Sequence, residues 1–389
     1  MTSKQLKQFL TYLKKDNMIA GPIRDGEVLN FNEVDDINDL EFSNKIPLRS
    51  FKRFLLPVRE VMSFGGRDAS HRDASQCVST NKKMALVGLT TPDLRAITIL
   101  NHIFEKDPYY QERMKKTLII GYAEMPDEYK GMFAVRYEEN ILEHLQFDIF
   151  IAGETGKSAL TDEQKNAGIL RPPGARAQND AQNKREKCEY KIFTGSEDGQ
   201  RVLDKFGYKN YENVQFAGLI PEEGAEKNVI AIRKAMEKMS PDNEIFKGFG
   251  KKCIECGRCS IICPLCFCFC LEDGIPAFAE AMAGKPPLCK GGEAKSRDAL
   301  QCASTGKCAP MKERKTTTCF YSEFSEVAGG HKFLKNPAER IFNWYEHKFV
   351  RIPDELSVAG CVSCGRCAKV CPAGISIKEV MKEILDFRF

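Results

Sequence analysis

An α/β module followed by a smaller α+β domain built around cysteine is the fold class this sequence predicts, and three observations predict it. Short apolar runs alternate with helical periodicity from about residue 82 to 245. Fifteen of the 17 cysteines fall between Cys253 and Cys371, with only Cys77 and Cys188 ahead of them. One twelve-residue cysteine motif occurs twice within that C-terminal part.

Composition sets the frame. A chain of 389 residues, 42% apolar and 29% charged, has enough side chains for two or three domains with buried cores. Its 58 basic and 54 acidic residues leave a net charge of +4, with no long block of one sign, so no nucleic-acid partner is expected. No apolar stretch approaches the roughly 20 residues that span a bilayer. Residues Met1 to Phe9, with Lys4 and Lys7, lack the apolar core of a signal peptide. The expected location is cytoplasmic, where thiols stay reduced and act as metal ligands or free cysteines rather than disulfides.

The elements follow in chain order. Residues 1–60 read as a helical start, Lys4 to Lys15, then a polar acidic stretch and the apolar segment Ile46 to Pro57, which is expected to pack on a neighbouring domain. Residues 61–245 read as the α/β domain. Met84–Leu89, Thr117–Gly121 and Phe147–Ala152 are buried strands, Asp93–Phe104 has the i, i+3, i+4, i+7 spacing of an amphipathic helix, and Glu226–Met239 is a second long helix. Strands alternating with helices predict a largely parallel sheet. The polar run 171–187 is an exposed loop.

The third part, 246–389, opens at the change of composition near Gly248–Gly250. Cys253-Ile-Glu-Cys256-Gly-Arg-Cys259-Ser-Ile-Ile-Cys263-Pro264 returns as Cys361-Val-Ser-Cys364-Gly-Arg-Cys367-Ala-Lys-Val-Cys371-Pro372, identical at seven of twelve positions. Each copy is C-x₂-C-x₂-C-x₃-C-P, the spacing with which bacterial ferredoxins wrap thiolates around a four-iron cubane. Gly257 and Gly365 let the backbone approach the sulfides, and Pro264 and Pro372 turn the chain away. The domain is therefore expected to be ferredoxin-like, with two [4Fe–4S] clusters and a long insertion at about 272–318. In two-cluster ferredoxins the fourth cysteine of each run ligates the other cluster. Carried over, Cys253, Cys256, Cys259 and Cys371 hold one cluster, and Cys361, Cys364, Cys367 and Cys263 the other. The competing reading, a pair of Cys₄ zinc sites, fits less well, because zinc ribbons draw two knuckles from separated positions. Arg258 and Arg366 either offset cluster charge or sit solvated at the surface.

Seven cysteines remain: Cys266, Cys268, Cys270, Cys289, Cys302, Cys308 and Cys319. Alternate cysteines in an extended segment point to one side, so Cys266 and Cys268 with Cys319 are candidates for a third iron–sulfur site. The bland alternative is that these thiols are small apolar residues in a core strand with Phe267 and Phe269.

The pattern Cys253 to Phe269, the run Cys319-Phe-Tyr-Ser-Glu-Phe-Ser-Glu-Val-Ala-Gly-Gly-His-Lys-Phe333 and His347-Lys348-Phe349 resemble the dicluster iron–sulfur components of cytoplasmic sulfhydrogenases (the beta subunit) and of anaerobic sulfite reductase. The resemblance continues upstream in Phe51–Glu60, Gly88–Ile97 and Asp107–Tyr110. It implies a non-catalytic component that relays electrons between a catalytic redox subunit, on one side, and a flavin- and NAD(P)-binding subunit on the other. Such relatives carry further cysteines where this chain has Pro92, Met132 and Ala134, so a cluster held there is expected to be absent. The alternative function is a sulfur-compound reductase using a third, substrate-accessible cluster.

Two weaker signals point elsewhere. Gly153-Glu-Thr-Gly156-Lys157-Ser158 resembles the end of a phosphate-binding loop, but Ile151 stands where its first glycine belongs. No G-x-G-x-x-G follows a strand, so this chain is not expected to bind the dinucleotide itself. His331 and His347, each beside a lysine, read as solvated or partner-facing.

Overall fold

The computed structural model describes residues 1–63, 83–125, 139–154, 190–219, 227–273 and 311–387. Expectations that fall on Cys77, Cys188, Met132, Ala134, 156–158, 171–187, Cys289, Cys302 and Cys308 lie outside the described residues.

The helix Ser3–Lys14 starts where Thr2 and Gln5 cap each other reciprocally, and its apolar stripe Leu6, Phe9, Leu10 and Leu13 is buried at helical spacing. It lies on a mixed sheet formed by β1 (Asn17–Asp25), β2 (Val28–Glu33), β4 (Lys83–Leu89), β5 (Thr117–Met125), β6 (Ile149–Glu154), β7 (Tyr190–Thr194) and β8 (Glu212–Asn213). Among the described residues the strand order is β2-β1-β4-β5-β6-β7-β8. The pairings β1/β4, β4/β5, β5/β6 and β7/β8 are parallel, and β1/β2 and β6/β7 are antiparallel. Residues expected as an N-terminal helical and extended segment thus supply a covering helix and two strands of the sheet itself.

Both faces are covered, which is why the central strands read as unbroken apolar runs. One face packs under the first helix and the helix Glu197–Phe206 through Leu13, Ile19, Val87, Ile120, Ile151 and Leu203. The other packs under the helix Thr91–Ile103, with Pro92 in its first turn, and includes Phe51, Leu55, Leu94, Ile97 and Phe150. Leu265, Val358 and Val362 of the C-terminal part belong to that same core.

A second body of apolar side chains fills the C-terminal part. It joins the helices Lys227–Met236, Glu244–Lys252, Pro337–Glu346 and Ile377–Asp386 through Ile232, Phe246, Trp344, Tyr345, Val380 and Ile384. The helix expected over 226–239 therefore packs with the cysteine-rich part, not on the sheet. Strands β9 (Phe269–Asp273) and β10 (Met311–Thr316) form an antiparallel pair, β3 (Arg59–Ser63) adds to the far side of β10, and Glu326–Val327 with His331–Lys332 make a separate two-stranded ribbon. Glu60 of β3 accepts from Arg113 and Arg314, and Arg314 also reaches Asp107, so buried charge ties this small sheet to the helix Pro108–Lys115. Phe269 and Leu271 are exposed at 43% and 47%. The core-strand reading is corrected at Phe269, since that face of β9 is open to solvent, whereas Phe267, ahead of the strand, packs against the core of the large sheet.

Among the described residues no helix is long and apolar enough to cross a membrane.

Candidate iron–sulfur centre

The two copies of the cysteine motif fold alike. Glu255 and Ser363, each between the first two cysteines of its run, take left-handed φ values of 55° and 56°; Gly257 and Gly365 follow with 67° and 69°. This winding turns backbone N–H groups inward: Glu255 donates to the Cys253 Sγ and Ser363 to the Cys361 Sγ, each over 3.4 Å. Each glycine caps a short helix, Arg258–Ile262 or Arg366–Lys369, and these two helices pack together, so the cradles are neighbours. A further N–H, that of Ile375, reaches the Cys371 Sγ at 3.3 Å.

The structure brings Cys371 to the far run. One cavity is lined by Cys253, Cys256, Cys259 and Cys371, with Cys367 of the second run at its border and Trp344 and Tyr345 in its apolar wall. On the other side, Cys263 faces Cys364, while Cys361 and Cys367 face that same thiol. Burial pushes the Cys253, Cys259 and Cys361 thiols up and raises Cys367 to about 12. Thiols that hold their protons this firmly become thiolates only when a cation takes the proton's place. Among the described residues no three His, Cys, Asp or Glu side chains converge as a single ion requires. A four-iron cubane places each thiolate on a different corner, so a wide arrangement of four thiols with inward N–H donors suits it better than it suits zinc.

The equivalent glycines differ in surroundings. A Cβ on Gly257 would fall on the Thr318 methyl group and 3.2 Å from the Tyr321 ring, whereas one on Gly365 meets nothing within 4 Å. Gly365→Ala should therefore cost only the left-handed conformation, about 1–2 kcal/mol, and Gly257→Ala distinctly more. Iron release to a chelator, followed by absorbance, should be faster from Gly257→Ala; equal rates would reject this account.

The equivalent arginines diverge further. Arg258 is exposed, as the surface reading of it expects. Arg366 is fully buried, donates to both Asp93 oxygens at 2.7 and 2.9 Å and to the Pro47 carbonyl at 2.7 Å, and also bonds the Cys364 thiol. The surface reading of Arg366 is thereby corrected.

Cys266, Cys268 and Cys319 lie between the two cradles, with Cys266 and Cys319 also facing Cys259 of the first. Cys266 shares a hydrogen bond with Cys263, and Cys268 with Cys319. Cys319 keeps its proton, held by the bond to Cys268 and by burial. His347 is half-buried with its ring edge-on to Phe267 at 5.9 Å, and burial lowers its pKa, so it is not the solvated group expected. His331 is exposed. The segment expected to pack on a neighbour does so: Phe51 and Leu55 are buried, and the Lys52 Nζ donates to the Cys266 carbonyl at 2.9 Å.

Sequence reasoning missed two side chains. Lys52 and Lys348 are buried beside the thiols, and Lys348 Nζ lies 3.4 Å from the Cys263 Sγ. The available signal was a lysine inside an apolar run, as in Phe51-Lys52-Arg53-Phe54-Leu55 and Lys348-Phe349-Val350.

Comparison with known proteins adds two findings. A family described as "4Fe-4S dicluster domain" matches residues 288–375, a span that holds the second motif and begins after the first. The chain is 24% identical to sulfhydrogenase 2 subunit beta of Pyrococcus furiosus over 99% of its own length and 97% of that protein's. No solved structure matches. The chain is thus a mixed α/β protein with a 4Fe–4S dicluster domain toward its C-terminus, homologous along its length to a sulfhydrogenase beta subunit.

Proposed function

We propose that this chain is the electron-relay subunit of a multi-subunit oxidoreductase. Its two [4Fe–4S] clusters would carry electrons between a catalytic subunit of the hydrogenase or sulfur-reductase kind and a flavin- and NAD(P)-binding subunit. The single observation that carries the reading is the pair of adjoining cradles, alike in backbone and each offering four thiols. Bound there, such clusters supply one-electron storage with little change in structure. The chain's part is to exclude water with Trp344, Tyr345 and Val362, to donate N–H groups to sulfur, and to fix the spacing of the two sites. With four thiolates for each cubane no iron corner is left for substrate, which supports relay over catalysis. Full-length similarity to a protein named as a sulfhydrogenase subunit supports the presence of partner subunits.

One observation favours a second reading. A cavity of about 270 Å³ beside Cys266 and Cys268 is also lined by Arg49, Lys52 and Arg53, a setting suited to an anionic sulfur compound at a third cluster.

Anaerobic purification, iron and sulfide counting, and EPR of the reduced protein separate the readings. About eight irons per chain with two interacting signals is the expected result. About twelve, with turnover of sulfite or polysulfide by the isolated chain, would favour the reductase; zinc without iron would end both.

A further inference from the structure

The two cradles are alike in backbone and unlike in charge. Around Cys253, Cys256, Cys259 and Cys371 the wall is apolar, and the cation that the motif itself supplies, Arg258, is exposed. Glu255 brings a carboxylate into that loop, and Arg340 neutralises it. Ile254, between the first two thiols, is 66% exposed, so this cradle sits close to solvent.

Around Cys361, Cys364, Cys367 and Cys263 two buried cations, Arg366 and Lys348, converge, Arg95 faces Cys361, and a further buried cation, Lys52, reaches the site at Cys263. Arg366 is compensated by Asp93. Lys348, 2% exposed, directs its Nζ to the Cys263 Sγ at 3.4 Å and the Gly360 carbonyl at 2.9 Å, and lies 5.0 Å from the centre of the Trp344 ring. Lys52, 8% exposed, bonds the carbonyls of Cys266 and Ser260 at 2.9 and 3.4 Å and faces the Cys263, Cys266 and Cys268 thiols. Neither lysine is ion-paired with a carboxylate among the described residues. A buried ammonium without a counter-ion is costly. The negative charge that answers both lysines has to come from sulfur.

We propose that Lys348 and Lys52 make the site of Cys361, Cys364, Cys367 and Cys263 the higher-potential member of the pair, the one on which an added electron settles first. Reduction adds one negative charge and moves no bond, and two fixed positive charges in a low-dielectric surround favour the reduced form over the oxidised. A hydrogen bond to a ligand sulfur acts in the same direction. The inference rests on the two-cluster reading above and adds an ordering to it.

The test is a potentiometric titration of the full chain with dithionite, read by EPR, after iron has been counted. Two separated midpoints are expected. Lys348→Met should lower the higher one enough to change the reduced-to-oxidised ratio of that site at least tenfold at fixed potential, about 59 mV for one electron, while the lower midpoint moves much less. Lys52→Met should act in the same sense, and it carries the test alone if Lys348→Met fails to hold iron. Lys348→Arg, which keeps the charge, should restore the midpoint. In Cys371→Ala, where only the lysine-flanked site is expected to remain, the surviving midpoint should be the higher one. The proposal is overturned if the lysine variants keep about eight irons yet shift the lower midpoint or neither, if Lys348→Arg falls as far as Lys348→Met, or if the lower midpoint survives in Cys371→Ala. A wild-type chain that never holds about eight irons would overturn the relay reading instead.

Discussion

Replacing Asp93 with asparagine is expected to cost about 3–5 kcal/mol, the range for removing one partner of a buried ion pair. The Arg366 guanidinium and the Asp93 carboxylate are essentially without solvent contact, at 1% and 0% side-chain exposure. Asp93 also accepts from the Thr90 hydroxyl at 2.9 Å, so its carboxylate is held on several sides. Asparagine keeps the shape but leaves the guanidinium charge buried and unanswered. Because Arg366 also bonds Cys364, the damage should reach the metal site, and iron should leave the 361–367 cradle for a chelator faster than it leaves the other. Denaturation midpoints and chelation kinetics measure both effects. The double variant Asp93→Leu with Arg366→Met should recover most of the stability, since apolar replacement of a whole buried pair is often close to neutral. A loss below about 1 kcal/mol in the single variant would mean that water reaches the pair.

The second large effect concerns the exchange of ligands between motifs. Cys371→Ala is expected to remove about four of eight irons and to abolish the signal of the cradle formed by Cys253, Cys256 and Cys259, far away in sequence. Cys263→Ala should remove the signal of Cys361, Cys364 and Cys367. The grounds are geometric: Cys371 lines the cavity of the first run, and Cys263 faces Cys364 of the second. If each alanine instead emptied the cradle of its own run, every motif would be self-contained and the exchange would be wrong.

Much of this was legible in the sequence, for identifiable reasons. The strand expected at Met84–Leu89 is found at Lys83–Leu89 and the helix expected at Asp93–Phe104 at Thr91–Ile103, because both are buried along their length and their periodicity is undiluted. The strand β1, Asn-Met-Ile-Ala-Gly-Pro-Ile-Arg-Asp, escaped notice because polar ends and Pro22 mask it. Its membership of the sheet is decided by pairing with β4, more than 60 residues later in the chain. The cysteine repeat stands out because metal ligation fixes residue type and spacing together. What a repeat cannot reveal is environment. Arg258 and Arg366 occupy the same place in the same motif, and only the docking of one loop onto the helix that carries Asp93 separates an exposed arginine from a buried one. Lys52 and Lys348 carry only a weak local signal, a lysine inside an apolar run, because the thiol that answers each charge is far away in sequence.

The small sheet β3-β10-β9 also has a bearing on how the protein is made. Val61 pairs with Glu313, so at about 5–20 residues per second strand β3 leaves the ribosome on the order of tens of seconds before its partner exists. Through that interval its backbone edge is unmatched, the condition under which chaperones bind nascent chains and aggregation competes with folding. A gene fragment beginning at residue 246 would reverse the shortage and leave the β10 edge open for good. Expression of the cysteine-rich part alone should therefore give less soluble, less iron-loaded protein than the whole chain.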